Sequence, residues 1–410
     1  MLHSTTAMIT FALFMISEIY CKLKPLEGND LQLQRFVDDI YSEKATKYFS
    51  FNPFGEALTS VLEEQKSCRK KAADKLPGWI EAKCLFATTP LEQATSESVA
   101  KVKAALFGGE TMLSLTGGLG VDDAAFSKSF GKIKSIDTDA CLNSLVRLNY
   151  KLLGCHNIDR IDTSAEAFLA SQNEVFEFFY CDPDRRPGGH RQASDARQYS
   201  PNVFELFHRY RESAKMWLIK LSPMTDLTWI RRQFNQPCRI YILYFKREIK
   251  ELLVQIGMGT PDKNMIVQVD DDGKFVVFEE TDLQAAKQCD FDVFCELSAA
   301  SIKAGFGQSL AKTFQWKGEN SGTYFTGRYA VSPALARCFK LIETLEGSLA
   351  EMGEKLKEMG VSQAHISARE FVADAETVRK KLRLKDGGEY YLFFTGKGSM
   401  KKGFVCRKAD

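Results

Sequence analysis

The chain has 410 residues, 44% of them hydrophobic, and its 55 basic and 53 acidic side chains give a formal charge of +2. That length accommodates two or three domains with a sizeable core. So even a charge excludes a global field for nucleic acid, and any such binding must use local patches. Eleven cysteines without a CxxC pair and five scattered histidines argue against zinc, so no metal is expected. The same cysteine usage favours free thiols in a reducing, cytoplasmic compartment.

Residues 8–16, MITFALFMI, form an apolar run of signal-peptide length, but no Lys or Arg precedes it and Glu18 follows closely. It is too short to span a bilayer. Residues 1–30 therefore read as a dispensable or docked extension, with a secretion signal as the alternative. No other segment is a membrane candidate. Residues 31–90 read as helices, with Leu33, Phe36, Val37, Ile40 and Tyr41 on one face of the first. Pro77-Gly78-Trp79 reads as a turn.

From 112 to 256 apolar strands alternate with amphipathic helices. The pattern predicts strands at 112–116, 132–137, 158–163, 175–181, 215–221 and 238–246. It predicts helices at 121–130, 139–153, 165–172, 201–213 and 225–233. This is an α/β pattern, that of a doubly wound, mostly parallel sheet. A hairpin at Asp270-Asp271-Asp272-Gly273 and mixed short elements follow to about 330, and the remainder reads α-β-α-β-β. Its long helix is expected to carry Ile342, Leu345, Leu349, Met352, Leu356 and Met359 on one sheet-packed face.

The segment LSLTGGLGVDDAAFSKSF, residues 113–130, runs from a strand through a glycine turn into a helix, a site for an anionic or sugar-bearing ligand. A P-loop needs Gly-Lys-Ser/Thr, yet Val121 and Asp122 follow Gly120. A dinucleotide turn needs a third glycine where Asp123 stands, and two acids would repel a pyrophosphate. S-adenosylmethionine fits better, because it has no phosphate and offers a ribose diol to a carboxylate. Asp137, 17 residues beyond Gly120 at the end of the second strand, suits that diol; a surface acid at a strand end is the alternative.

The fourth strand ends in FFYCDPDRRPGG, residues 178–189. An Asp-Pro at the carboxyl end of a sheet strand faces the crevice where open α/β sheets bind ligands. Pro183 stiffens the loop, and Asp182 can accept a substrate proton or hydrogen bond. Arg185 and Arg186, with Arg191 nearby, form a basic mouth suited to phosphate. Lys220 and Ser222 close the fifth strand at the same edge, where Lys220 reads equally as a substrate contact or a rim lysine.

The ordered set TSESVAKVKAAL (95–106), LTGGLGVD (115–122), ID (136–137), CDPDRR (181–186) and IKLSP (219–223) resembles class I SAM-dependent methyltransferases. Within them it is most similar to a bacterial-type group with a helical N-terminal region, a ferredoxin-like insert and a C-terminal THUMP-like domain. CELSAASIKAG (295–305) and LRLKDGGEYYLF (382–393) resemble that group's middle and C-terminal segments. The resemblance implies SAM contacts at Thr116, Gly117, Gly118 and Gly120, with Asp137 at the ribose. It also implies that Thr95, Ser96 and Glu97 lie near the methionine end and Ser164-Ala165 near the adenine. Asp182 and Pro183 match the catalytic-loop motif, and a THUMP-like domain implies an RNA substrate. Ser114 stands where the family has an acid, Ser164 is a second missing carboxylate, and Asp184-Arg185 replace the stacking ring of base amino-methylases.

The expected architecture is thus a Rossmann-like methyltransferase core over 91–275, preceded by helical residues 31–90. A small ferredoxin-like segment at 276–330 and a THUMP-like RNA-binding domain at 331–410 follow. The expected activity is methyl transfer from SAM to RNA, with Asp182 orienting the acceptor and Arg185 and Arg186 gripping phosphate. Arg379, Lys380, Lys381 and Arg383 form a second basic site. The alternatives are a methyltransferase of protein or small molecules, and an RNA-binding scaffold without catalysis.

Overall fold

The computed structural model describes residues 37, 38, 41, 57–185, 196–283, 287–319, 321–396 and 401–408. The apolar run 8–16, Leu33, Phe36, Ile40, Arg186 and Arg191 lie outside the described residues. The chain divides into two compact units: Met1–Arg239 with Leu252–Asp262 and Val269–Phe275, and Ile240–Glu251 with Lys263–Gln268 and Val276–Asp410.

In the first unit, helices α1 (Ala57–Lys75), α2 (Pro77–Glu81), α3 (Thr88–Gln93) and α4 (Glu97–Leu106) precede the sheet. Strand β1 (Gly109–Ser114), α5 (Val121–Phe126), β2 (Phe130–Asp137), α6 (Ala140–Leu152), β3 (Ile158–Asp162), α7 (Ala165–Ser171) and β4 (Phe176–Cys181) then alternate. They are followed by α8 (Val203–Tyr210), β5 (Ala214–Leu221) and α9 (Leu227–Phe234); of the next two strands, β6 (Arg239–Phe245) belongs to the second unit from Ile240 on, and β7 (Glu248–Gly257) returns to the first at Leu252. The hydrogen-bonded order is β3-β2-β1-β4-β5, all parallel. Residues 252–257 of β7 run antiparallel to β5, with Leu221 opposite Leu252 and Met216 opposite Gly257.

The chemistry of the sequence accounts for this order. β4 is buried along nearly its whole length, Phe176, Phe178, Phe179, Tyr180 and Cys181 included. A continuous apolar run of that kind belongs to a central parallel strand covered on both faces. Asp139 caps α6 by accepting the N–H groups of Cys141 and Leu142. Leu142, Leu145, Val146 and Asn149 on its buried side then face the N-terminal helices. Two buried amides join helices to chain: Gln65 bonds both backbone groups of Phe86, and Asn149 both of Leu85. The strand order reverses between β1 and β4, which opens a crevice at their carboxyl ends.

In the second unit, β8 (Lys263–Val269), β9 (Phe275–Glu279) and β10 (Lys287–Leu297) are followed by α10 (Ala299–Ala304) and α11 (Gly307–Thr313). Then come β11 (Lys317–Glu319), β12 (Ser321–Ala330), β13 (Ala336–Glu346), α12 (Leu349–Glu358), β14 (His365–Phe371), α13 (Ala375–Leu382), β15 (Tyr390–Gly396) and β16 (Lys402–Lys408). One seven-stranded sheet has the order β11-β12-β10-β13-β16-β15-β14. The boundary expected at 330/331 therefore falls inside a single sheet.

The long helix expected to carry Ile342 to Met359 is not present. Ile342 and Leu345 lie on strand β13, Ile342 exposed and Leu345 buried, and the helix covers only 349–358. Gly347 at φ +105° turns the chain. Ser348 and Glu351 form a reciprocal capping box that starts the helix afresh. The remainder is β-α-β-α-β-β.

Candidate cofactor and acceptor site

Five strand ends of the first unit bring the motif residues to one edge of the sheet. The glycine turn follows β1, Asp137 ends β2, Ser164 follows β3, Asp182 follows β4, and Lys220 lies near the end of β5. The three turn glycines serve different purposes. A Cβ on Gly117 would lie 1.6 Å from Arg160 Nη1, and one on Gly120, at φ +83°, would lie 2.5 Å from the Tyr150 hydroxyl. Both face protein. A Cβ on Gly118, at φ +50°, meets nothing within 4 Å. Gly118 is the open face of the turn.

Asp137 is tied to that turn. Its Oδ2 accepts the Gly118 N–H at 2.8 Å, its Oδ1 accepts the Asp139 N–H at 3.0 Å, and the side chain is 19% exposed. An ionised carboxylate has about four lone-pair sites, so two backbone donors leave capacity for a diol. Beneath it, buried Arg160 donates to Asn143 Oδ1 at 2.7 Å, Ser135 Oγ at 2.8 Å and the Gly118 carbonyl at 2.8 Å. Arg160 also lies 3.7 Å from Asp123 and 3.6 Å from Asp137. Burial pushes the Asp123 carboxyl up, against Arg160, Ser135 and Tyr150, which favour its charge. Ser114 is fully buried beside Asp123. An acid at 114 would set two carboxylates together inside the sheet.

A second buried network lies on the other side of the turn. Asp122 Oδ2 accepts from Tyr180 Oη at 2.6 Å, Lys103 Nζ at 2.9 Å and Thr95 Oγ1 at 3.1 Å. Burial opposes charge on Asp122, but Lys103, Lys220 and Tyr180 outweigh it and hold its carboxyl below the usual range. The two acids expected to repel a pyrophosphate are thus neutralised by Lys103 and Arg160. The case against a dinucleotide rests instead on the absent third glycine.

Thr95 joins this network to the crevice, because Lys220 Nζ donates to Thr95 Oγ1 at 3.2 Å and to Asp182 Oδ2 at 2.6 Å. The Asp182 N–H donates to Thr116 Oγ1 at 2.7 Å, so the Thr116 hydroxyl braces the loop. Asp182 is part-exposed, Pro183 buried and Arg185 exposed; Arg186 lies outside the described residues. Lys75, at the end of α1, donates to the carbonyls of Leu91 and Glu92. Burial, then the repulsion of Lys220, lowers its ammonium to about 8.

Other expected contacts have structural partners. The Glu97 carboxylate accepts the Gly78 N–H at 2.7 Å and pairs with Lys101, which anchors α4 to α2. Ser96 precedes α4, with its hydroxyl near Ser98. Ser164 caps α7 through the Ala167 N–H, and Ala165 is buried. In the second unit Arg379 donates to the Ala364 carbonyl and pairs with Asp386 at 2.7 Å, which braces α13. Lys380 lies 3.6 Å from Glu376, Lys381 is exposed, and Arg383 ends the helix at φ +54°.

Sequence reasoning missed Lys75, Lys103, Tyr180, Tyr150, Asn143 and Arg160. Lys103 sits in a helix, ESVAKVKAAL, that also carries Lys101, and only its full burial distinguishes it. Among the described residues no group of His, Cys, Asp and Glu could hold a metal ion. No described helix is long and apolar enough to cross a membrane.

A protein from Porphyromonas gingivalis W83, named as a methyltransferase with its crystal structure, superimposes on this chain with a TM-score of 0.72. Its crystal structure covers 93% of this chain and 98% of its own at 23% identity. The chain has the methyltransferase fold. Proteins of two Mycobacterium tuberculosis strains, named S-adenosylmethionine-dependent methyltransferases, are 24% identical over 357 residues, 84% of this chain and 96% of theirs. Residues 336–408 match the THUMP domain-like family. That segment begins with β13 and holds α12, β14, α13, β15 and β16.

Proposed function

We propose that this methyltransferase-fold chain transfers a methyl group from S-adenosylmethionine to RNA. The observation that carries the cofactor reading is the open face at Gly118, backed by Asp137 and bounded by two buried ion networks. The names of the mycobacterial relatives support it. When bound, S-adenosylmethionine supplies an electrophilic methyl on a sulfonium.

The protein's own part is alignment. Asp137 offers its carboxylate to a ribose diol while keeping Gly118 in its left-handed conformation. Lys220 fixes Asp182 by one oxygen, leaving the carboxylate to orient an N–H or O–H of the acceptor. Pro183 and the Thr116 brace hold that loop against the end of β1. Arg185, exposed beside Asp182, suits a phosphate of the acceptor strand, as does Arg186 by sequence. Support for RNA comes from the THUMP-like segment and its basic residues. Ser114 and Ser164 do not favour a scaffold without catalysis, since one packs beside Asp123 and the other caps a helix.

Incubating the full chain with radiolabelled S-adenosylmethionine and total RNA tests this. Incorporation into RNA that Asp182→Ala abolishes is expected. Label appearing only in protein, or no calorimetric binding of S-adenosylmethionine, overturns the reading.

A further inference from the structure

The seven-stranded sheet of the second unit carries two more arginines than the α13 run. Glu296 on β10 is 1% exposed, facing Arg337 in register on β13. Its Oε2 accepts from Arg337 Nε at 2.7 Å and from Nη2, and its Oε1 lies 3.1 Å from Arg369 Nε on β14. Ser367 Oγ donates to Oε1 at 3.2 Å and bonds Tyr324 Oη at 3.0 Å. That bond joins β12 to β14 although four strands lie between them in the order, so the sheet is strongly curled.

The face that holds these polar groups is otherwise aromatic: Phe294, Tyr324, Phe339, Phe393 and Phe404. One buried carboxylate needs one cation. Two arginines leave a surplus positive charge, and each keeps 39% of its side chain exposed. Arg247, exposed in the turn between β6 and β7, is a third cation, near enough to act with Arg337 on the hydroxyl of Tyr244. As a fold staple this is costly, because a buried ion pair is often replaceable by apolar packing. As a recognition device it fits: the carboxylate holds Arg337 by two donors and Arg369 by one contact, and both part-exposed guanidinium groups keep further donors. On the same face of β14, four residues or about 13 Å from Arg369 at strand rise, exposed His365 stacks on Tyr391. Their ring centroids are 4.8 Å apart and their planes 27° apart.

We infer that Arg337 and Arg369, held by Glu296, bind the phosphates of single-stranded RNA, with a neighbouring base stacked on His365. The inference rests on the RNA reading above, but assigns the grip to this face and not to Arg379–Arg383. Forked donors match phosphate geometry, and the exposed His365 ring, backed by half-buried Tyr391, is a sequence-tolerant base platform.

Fluorescence anisotropy of the full chain with a fluorescein-labelled oligouridylate tests it across a salt series. Arg337→Lys combined with Arg369→Lys keeps positive charge beside Glu296 but removes both forks. It should weaken binding at least about tenfold, the scale of lost charged hydrogen bonds. His365→Ala, at an exposed side chain, should weaken it about fivefold or more. Lys380→Gln with Lys381→Gln reads the rival basic site, and a loss there as large as that of the double lysine variant overturns the assignment of the grip to this face. Wild-type affinity in a normally melting double lysine variant overturns the inference while leaving the RNA reading intact. If that variant melts early, unchanged affinity in His365→Ala overturns it instead. Failure of the unmodified chain to bind any RNA overturns both.

Discussion

Exchanging Gly117 or Gly118 for alanine separates the two jobs of the turn. At Gly117 the added Cβ lies 1.6 Å from Arg160 Nη1 and 2.6 Å from Ser135 Oγ, so the guanidinium must leave its site. Leaving breaks three buried hydrogen bonds, to Ser135, Asn143 and the Gly118 carbonyl, and strips Asp123 of its cation. Disrupting a buried charge pair costs about 3–5 kcal/mol. For a unit of this size that lowers the melting temperature by on the order of 10 °C. At Gly118 nothing obstructs a Cβ, and only the left-handed backbone is penalised, by about 1–2 kcal/mol. The larger Gly118→Val should therefore stay folded while filling the open face, and should abolish S-adenosylmethionine binding. Scanning calorimetry and titration calorimetry on the variants read the two effects separately. A Gly117→Ala melting curve that overlays wild type, or a folded Gly118→Val with undiminished affinity, would refute the division of labour.

Asp137→Ala should weaken S-adenosylmethionine and S-adenosylhomocysteine alike by about 1–3 kcal/mol, the scale of a lost charged partner; a selective loss of one in titration calorimetry would put Asp137 away from the ribose. Lys75 should titrate near pH 8, followed through its Cε carbon by NMR. Between about 8 and the ordinary 10.5 the unfolded chain keeps a proton that the folded one has released, so Lys75 makes stability rise with pH across that window. In Lys220→Met its midpoint should move up, though burial keeps it below 10.5; an unmoved midpoint would show that Lys220 does not act on it.

Much of the core was legible because most strands and helices between 109 and 245 carry their own period, whereas β7 at 248–257, antiparallel to β5, was not among the expected strands. The strands expected at 158–163 and 175–181 lie at 158–162 and 176–181, and Asp137, Asp182 and Lys220 sit at their strand ends. The long C-terminal helix failed for a definable reason. Ile342, Leu345, Leu349 and Met352 keep helical spacing across a strand, a glycine turn and a new helix. The signal that breaks them, Ser348 followed by Glu351 after Gly347, is local and was outvoted by the periodicity. What sequence could not convey was which charges are buried. Lys103 and Arg160 look like surface residues until their partners on other elements are placed, and alternation says nothing about a pairing 19 or 37 residues away.

Arg160 reaches strand β2, helix α6 and the glycine turn with a single side chain, while Tyr150 fills the space under Gly120. For protein engineering this means that the turn is not a portable cassette. Grafting LTGGLG onto another sheet would import a loop whose shape is enforced by Ser135, Asn143, Tyr150 and Arg160, none of which lies within it. A library that varies residues 117 or 120 alone samples mostly broken molecules. One that diversifies Gly118 and its crevice neighbours, with those four supports held constant, explores ligand choice on an intact frame.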